Sequence, residues 1–253
     1  MVTTILTQND SCAAYLLGIN MTAKDRQSLI SNNQKIAIAL PYPGSENNAS
    51  VIVTLVLQPM ANLTQVAFEP AQVLYLAYSP IGTFDTIKMA QQSRVAFGQT
   101  YSFDGVRING EGNGLEGYVS IYFNAPKNSV APVIAGLAGY VYDVATGKQA
   151  SPSPLNYYTL NRYQSRLIPK PKPVAWVFIC TDLSIGSVLP LAILKPVPMS
   201  APAPAGSLAL AGQPTPVLQI GRYLSVKLDA SEPASIYFDI TSNAFGYAAD
   251  PVQ

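Results

Sequence analysis

From residue 35 onward, hydrophobic positions recur every second residue or in short unbroken runs, the spacing of β-strands rather than of helices. Lys35–Leu40 (KIAIAL) ends at Pro41-Tyr42-Pro43-Gly44, and Val51–Leu57 (VIVTLVL) is β-branched enough to read as a central strand. Val73–Tyr78 (VLYLAY) closes at Ser79-Pro80, and Gly117–Phe123 (GYVSIYF) alternates cleanly. Gly139–Val144 (GYVYDV) turns at Ala145-Thr146-Gly147, and strands resume over Val174–Cys180 and Ser187–Leu194. Arg222–Leu228 and Ser235–Ile240, joined by Ala-Ser-Glu-Pro, read as a hairpin. A second hairpin is signalled at Arg94–Phe103 and Val106–Ile108. Asp104-Gly105 lies between them and suits a type I′ turn, whose two central residues need φ > 0, and Asn109-Gly110 offers a further turn. Residues 82–92 fit either a short helix or an edge strand. One helix is expected, at Thr22–Ile30, where Thr22 followed by Asp25 has the form of a capping box.

About twelve strands between Gly, Pro, Asn and Asp turns, with no alternating helices to build parallel βαβ units, predict an all-β fold. The expected class is an antiparallel β-sandwich, jelly-roll-like, with Pro-rich extended connections and at most one or two short helices. The expected organisation is an N-terminal arm with the short helix (1–33), the main sandwich (34–194), a Pro/Ala-rich linker (195–216) and a C-terminal hairpin packed on the sandwich (217–253). Alternating prolines in 151–173 favour an extended segment lying on a surface.

The chain has 253 residues, enough to bury a core without disulfides or metals, and 49% of them are hydrophobic. Charged residues make up only 11%, against about 25% in typical soluble domains. Its polar surface must therefore come from neutral groups, which cost far less to desolvate than ions. That composition suits a protein that covers much of its outside with neighbours. The net charge of +1, with no Lys/Arg cluster beyond Lys170 and Lys172, lacks the footprint of phosphate binding, so no nucleic acid is expected to bind through a basic arm.

No histidine is present. That removes Ser-His-Asp and Cys-His triads, His-ligated zinc and haem, and the commonest general base. Cys12 and Cys180 lie far apart with no ligand spacing around them, so no metal and no cofactor are expected. The N-terminal residues lack a charged segment followed by an apolar one, so no signal peptide is expected. Val174–Leu194 is long enough to span a bilayer, but Asp182 near its middle favours two buried strands joined by a turn at Thr181-Asp182, and no transmembrane span is expected.

Three groups of residues could carry chemistry. Gly112-Asn113-Gly114-Leu115-Glu116-Gly117 matches GxGxxG, but a strand follows it where a dinucleotide site needs a helix N-terminus. Asp104, Asn109, Glu111, Asn113 and Glu116 crowd the same stretch and could serve as hard oxygen ligands for calcium or as an acid/base pair. Tyr157, Tyr158 and Tyr163 cluster with Arg162 and Arg166, and tyrosine combines apolar area with a hydrogen-bonding tip, which favours interfaces and sugar stacking.

These readings point to a structural protein that assembles with copies of itself and with other structural proteins, not to an enzyme. The form expected is a viral capsid or coat subunit, built in the host cytoplasm into a virion. The alternative is a carbohydrate- or receptor-binding sandwich module (lectin, adhesin or spike) at an extracellular surface, with a glycan as partner. A carboxylate-based glycoside hydrolase comes third.

Overall fold

The computed structural model describes residues 15–41, 50–78, 81–126, 132–147, 151–197 and 219–247. In chain order its elements are β1 (Tyr15–Asn20), α1 (Ala23–Ser31), β2 (Lys35–Ala39), β3 (Ser50–Leu57), β4 (Leu63–Ala77), β5 (Gln91–Arg94), β6 (Gln99–Phe103), β7 (Ile108–Asn113) and β8 (Tyr118–Phe123). They continue with β9 (Val133–Asp143), β10 (Ser153–Pro154), β11 (Tyr158–Leu160), β12 (Ser165–Pro169), β13 (Val174–Cys180), β14 (Val188–Pro190), β15 (Leu224–Lys227), β16 (Ala234–Asp239) and β17 (Ala244–Tyr247). The protein is mostly β, as its periodicity predicts.

The strands form three sheets. An eight-stranded sheet runs β10-β9-β4-β1-β16-β17, with β11 also on β9 and β5 also on β4. A five-stranded sheet runs β14-β3-β2-β13-β15, and a four-stranded sheet runs β12-β8-β6-β7. Apolar side chains from all three meet in one core. The eight-stranded sheet contributes Leu17, Val66, Leu74, Leu137 and Phe238; the five-stranded sheet Ile36, Leu55, Val177 and Val226; the four-stranded sheet Phe103, Ile121, Phe123 and Ile168. Each such side chain taken fully from water contributes about 1.5–3 kcal/mol.

Two further clusters explain the unbroken hydrophobic runs. Ala37, Ala39, Val53, Phe178, Cys180 and Leu189 lie on the second face of the five-stranded sheet, beneath Leu183 and Leu194. Val73, Tyr75, Ala77, Ile134 and Ala138 lie on the second face of the eight-stranded sheet, beneath Ile52, Ile87, Tyr157 and Val188. Strands buried on both faces lose the polar half of their alternation, whereas β8, buried on one face, keeps it.

Several sequence expectations are corrected. Within the arm expected at 1–33, Tyr15–Asn20 is a central strand, antiparallel to β4 and parallel to β16, while residues 1–14 lie outside the described residues. The pairing is not uniformly antiparallel, because β1–β16 and β6–β8 run parallel. The expected hairpin of 222–228 with 235–240 does not form, since β15 pairs with β13 and β16 with β1 and β17. The two buried strands expected across 174–194 are β13 and β14, which lie in one sheet with β2 and β3 between them. Of the Pro-rich 151–173 stretch, residues 152–158 are buried, with β10 and β11 paired to β9, and so do not lie on a surface, whereas residues 161–173 stay at the surface except for Ile168. Of the 195–216 linker, residues 198–216 lie outside the described residues, while the Lys195 carbonyl accepts from Tyr223 N and Val197 N donates to the Tyr223 carbonyl.

The capping box forms as expected. Thr22 Oγ1 accepts from Asp25 N at 3.1 Å and donates to Asp25 Oδ2 at 2.5 Å. Asp25 also reaches the other end of the chain, its Oδ1 accepting from Ile240 N at 3.2 Å in the turn between β16 and β17. The Asp25→Ala protein should therefore lose both a helix cap and a clamp on that turn. It is expected to be less stable by about 1–3 kcal/mol, seen as a lower urea midpoint at unchanged slope.

Candidate functional site

The two groups of sequence candidates come together on the four-stranded sheet, at its opposite edges. Asn109, Glu111 and Asn113 belong to the edge strand β7, with Asp104 in the turn before it and Glu116 in the turn after it. Arg166 belongs to the other edge strand, β12, with Arg162 and Tyr163 in the turn that precedes it. Tyr157 and Tyr158 do not join them. Both are buried: Tyr157 packs over the second face of β4 and β9 with its hydroxyl 3.3 Å from Ser50 Oγ, and Tyr158 packs into the main core, so neither forms the contact surface expected of this segment.

The acidic residues are engaged locally and do not converge. Asp104 Oδ1 accepts from Val106 N at 2.8 Å and Arg107 N at 2.7 Å, and its Oδ2 accepts from Asn109 Nδ2 at 3.1 Å. The backbone N–H groups of Arg107 and then Val106 hold its carboxyl below the usual carboxylate range. Gly105 has a positive φ of 98° but Asp104 does not, and Phe103 pairs with Ile108, so the strands are joined by the Asp104–Arg107 loop and not by the two-residue type I′ turn expected at Asp104-Gly105; Asn109-Gly110 lies inside β7, opposite a register shift at Thr100/Tyr101. Glu111 accepts from the Ser102 hydroxyl across the β6–β7 pair, and Asn113 Oδ1 accepts from Gln99 Nε2 at 3.3 Å. Asp104 and Glu116 stand at opposite ends of β7, roughly 20 Å apart for a strand rising about 3.3 Å per residue, so one ion cannot bind both. Among the described residues no three His, Cys, Asp or Glu side chains gather as a metal site.

Between the two edges lies an open sheet face. Val119, Ile121 and Phe123 of β8 point into the core, so Tyr118, Ser120 and Tyr122 point away from it. Register places Ser102 and Ser165 on either side of Tyr122, and Thr100 and Leu167 on either side of Ser120. Leu167 is 50% exposed. At the end of β8, Tyr163 N donates to the Phe123 carbonyl at 2.7 Å and Phe123 N to the Gln164 carbonyl at 2.9 Å. Tyr163 is exposed there with φ of 63°, a left-handed backbone that costs about 1–3 kcal/mol in a residue other than glycine.

A second open face belongs to the eight-stranded sheet. On the half left uncovered by Tyr157 and its neighbours, Tyr140 and Tyr142 of β9, Leu63 and Gln65 of β4, Leu16 and Asn20 of β1, and Tyr237 of β16 point away from the core. Gly18 and Gly246 keep this face shallow, and the Tyr237 ring lies directly over Gly246. Its charges stand at the corners: Glu69, whose carboxylate accepts from the Tyr142 hydroxyl at 3.2 Å, and Asp239, which accepts from Thr241 N at 2.9 Å. The sequence reading missed both faces, because neither the tyrosines of GYVSIYF nor those of GYVYDV cluster with other chemistry along the chain.

Cys180 is a free thiol sealed under Leu183 and Leu194. Burial pushes it up to about 12, with Lys35 acting in the opposite direction. Among the described residues no helix is long and apolar enough to cross a membrane. Comparison with protein-family models, with curated proteins and with solved structures found no match.

Two outcomes follow from these environments. In a Cys12→Ser protein, the remaining thiol should resist Ellman's reagent at pH 8 until denaturant is added. Rapid labelling of the native protein would show that β13 opens easily. Asp104, with its carboxyl held below the ordinary value, contributes stability that is present at neutral pH and lost as pH falls through its folded-state pKa, below about pH 4. The Asp104→Asn protein should accordingly show a flatter stability profile between pH 4 and pH 2 than the wild type.

Proposed function

We propose that this chain is a structural subunit that associates with copies of itself. The observation that carries this reading is the open half of the eight-stranded sheet, where tyrosines, leucines and neutral polar groups spread over four strands with carboxylates only at the corners. Tyrosine is enriched at protein interfaces while charged residues are depleted from their centres, and neutral groups are far cheaper to desolvate than ions. The low charged fraction of 11% extends the same logic to the whole chain. In its finer form the proposal is a jelly-roll-like coat protein of a virion, assembled in the host cytoplasm beside other structural proteins. The net charge of +1 leaves the genome to be held by something other than a basic arm of this chain.

Size exclusion with light scattering, followed by negative-stain imaging, tests the reading. Assembly should give masses at multiples of 27.0 kDa, with closed shells or sheets in the images. Leu63→Lys combined with Tyr237→Lys places like charges on the face at positions 53% and 43% exposed, so the fold should persist while assembly shifts to at least tenfold higher protein concentration. A 27.0 kDa monomer at every concentration tested would sink the reading. Tight, salt-sensitive binding to nucleic acid would sink the claim about the genome.

A further inference from the structure

We propose that the outer face of the four-stranded sheet is a binding site for a neutral glycan chain lying along β8. Tyr118 and Tyr122 project from this face four residues apart, roughly 13 Å at strand spacing, with Ser120 between them. Sugar rings offer apolar C–H faces that pack on aromatic rings and a rim of hydroxyls that needs donors and acceptors. Here hydroxyls border the tyrosines at Thr100 and at the exposed Ser165, while Ser102 is buried and gives its hydroxyl to Glu111.

Charge selects the class of occupant. Two residues within the four strands are charged, Arg166 and Glu111; Arg166 pairs with the inward-facing Ile121, which leaves Glu111 as the charge on the outer positions, a carboxylate that accepts from Ser102 and can accept from a ligand hydroxyl as well. An anionic sugar or a nucleic-acid phosphate would meet that carboxylate, whereas a neutral pyranose chain supplies the donors it needs. The tyrosines are available for the purpose. Their neighbours Val119, Ile121 and Phe123 anchor β8 in the core, so the rings outside can be used without loosening the sheet. Tyr163 stands exposed in the turn beyond the end of β8, in a strained backbone that the fold maintains through the Phe123 and Gln164 hydrogen bonds. This site shares no strand with the face assigned to self-association, and it stands whether or not the chain assembles.

The test uses the full chain and insoluble or gel-embedded neutral polysaccharides: cellulose, chitin, xylan, mannan and galactan. At least one should retard the protein in affinity electrophoresis, with retardation unchanged between low and high salt. Tyr118→Ala and Tyr122→Ala should each weaken that binding roughly tenfold or more, as loss of an aromatic stacking partner does. Tyr78→Ala, a 39% exposed tyrosine just past the end of β4 on the other sheet, should leave it unchanged and controls for general effects of removing a surface ring. Glu111→Gln should weaken it less than either tyrosine variant. Three results would each overturn the proposal: no retardation by any of the five polymers, retardation that survives both tyrosine substitutions in folded protein, or binding confined to heparin and abolished by salt. Capture of a second protein by this face without any polysaccharide binding would likewise assign it to a different partner.

Discussion

The parallel pairing of β1 with β16 holds the two ends of the described chain in one sheet, and much of the remaining structure depends on it. β1 sits between β4 and β16, so among the described strands it is the link through which β16 and β17 join the eight-stranded sheet. Joining segments so distant in sequence costs little more entropy than joining nearer ones, since each doubling of a loop adds only about 0.6 kcal/mol. Two side chains reinforce the closure. Asp25 binds the backbone of the β16–β17 turn, and the Tyr247 hydroxyl donates to the Ser225 carbonyl at 2.6 Å, tying the last strand to the five-stranded sheet. Because β16 carries Tyr237 outward and Ile236 and Phe238 inward, the same pairing completes both the core and the open face.

What was legible in the sequence follows from how far each signal reaches. The capping box was readable because Thr22 and Asp25 are three positions apart and satisfy each other within one turn. The strand character of VIVTLVL and VAWVFIC was readable because burial on both faces leaves unbroken apolar runs. Pairing was not readable, for it is decided between segments with no local mark on either. Arg222–Leu228 and Ser235–Ile240 look like a hairpin by distance alone, yet the Val226 and Ile236 side chains reach the core from different sheets. Tyr15–Asn20 (YLLGIN) escaped notice because its outward positions are Leu16, Gly18 and Asn20, too mixed to show a period of two.

The same distinction governs the surfaces. The acidic stretch from Asp104 to Glu116 drew attention because its residues are close in sequence, and that closeness is what the hairpin explains: Asp104 shapes a turn, Asn109 braces it, and Glu111 spans to Ser102. The tyrosines at 157 and 158 drew attention for the same reason and turned out to be buried, because Gly136 leaves room for their segment to close over β9. A Cβ there would stand 2.1 Å from the Asn156 carbonyl oxygen and 2.7 Å from the Tyr75 ring. The Tyr75 hydroxyl donates to that same carbonyl at 2.6 Å, so the polar groups of the closing segment are met from within the sheet.

A chain this poor in charge must still keep its open faces from sticking indiscriminately, and the placement of its carboxylates bears on how it does so. Glu69 and Asp239 stand at the corners of the eight-stranded face, and Glu111 stands at the edge of the four-stranded one. In each case the charge is hydrogen-bonded to a neighbour, which fixes its position without removing it from water. A carboxylate at a rim costs little when a matching surface covers the centre, and a good deal when a mismatched one covers the rim as well. The centres can therefore stay neutral and easy to desolvate while the rims decide which partner fits. That division suits both proposed uses: a second copy of the chain on one sheet, and a neutral polyol, whose hydroxyls a rim carboxylate can accept, on the other.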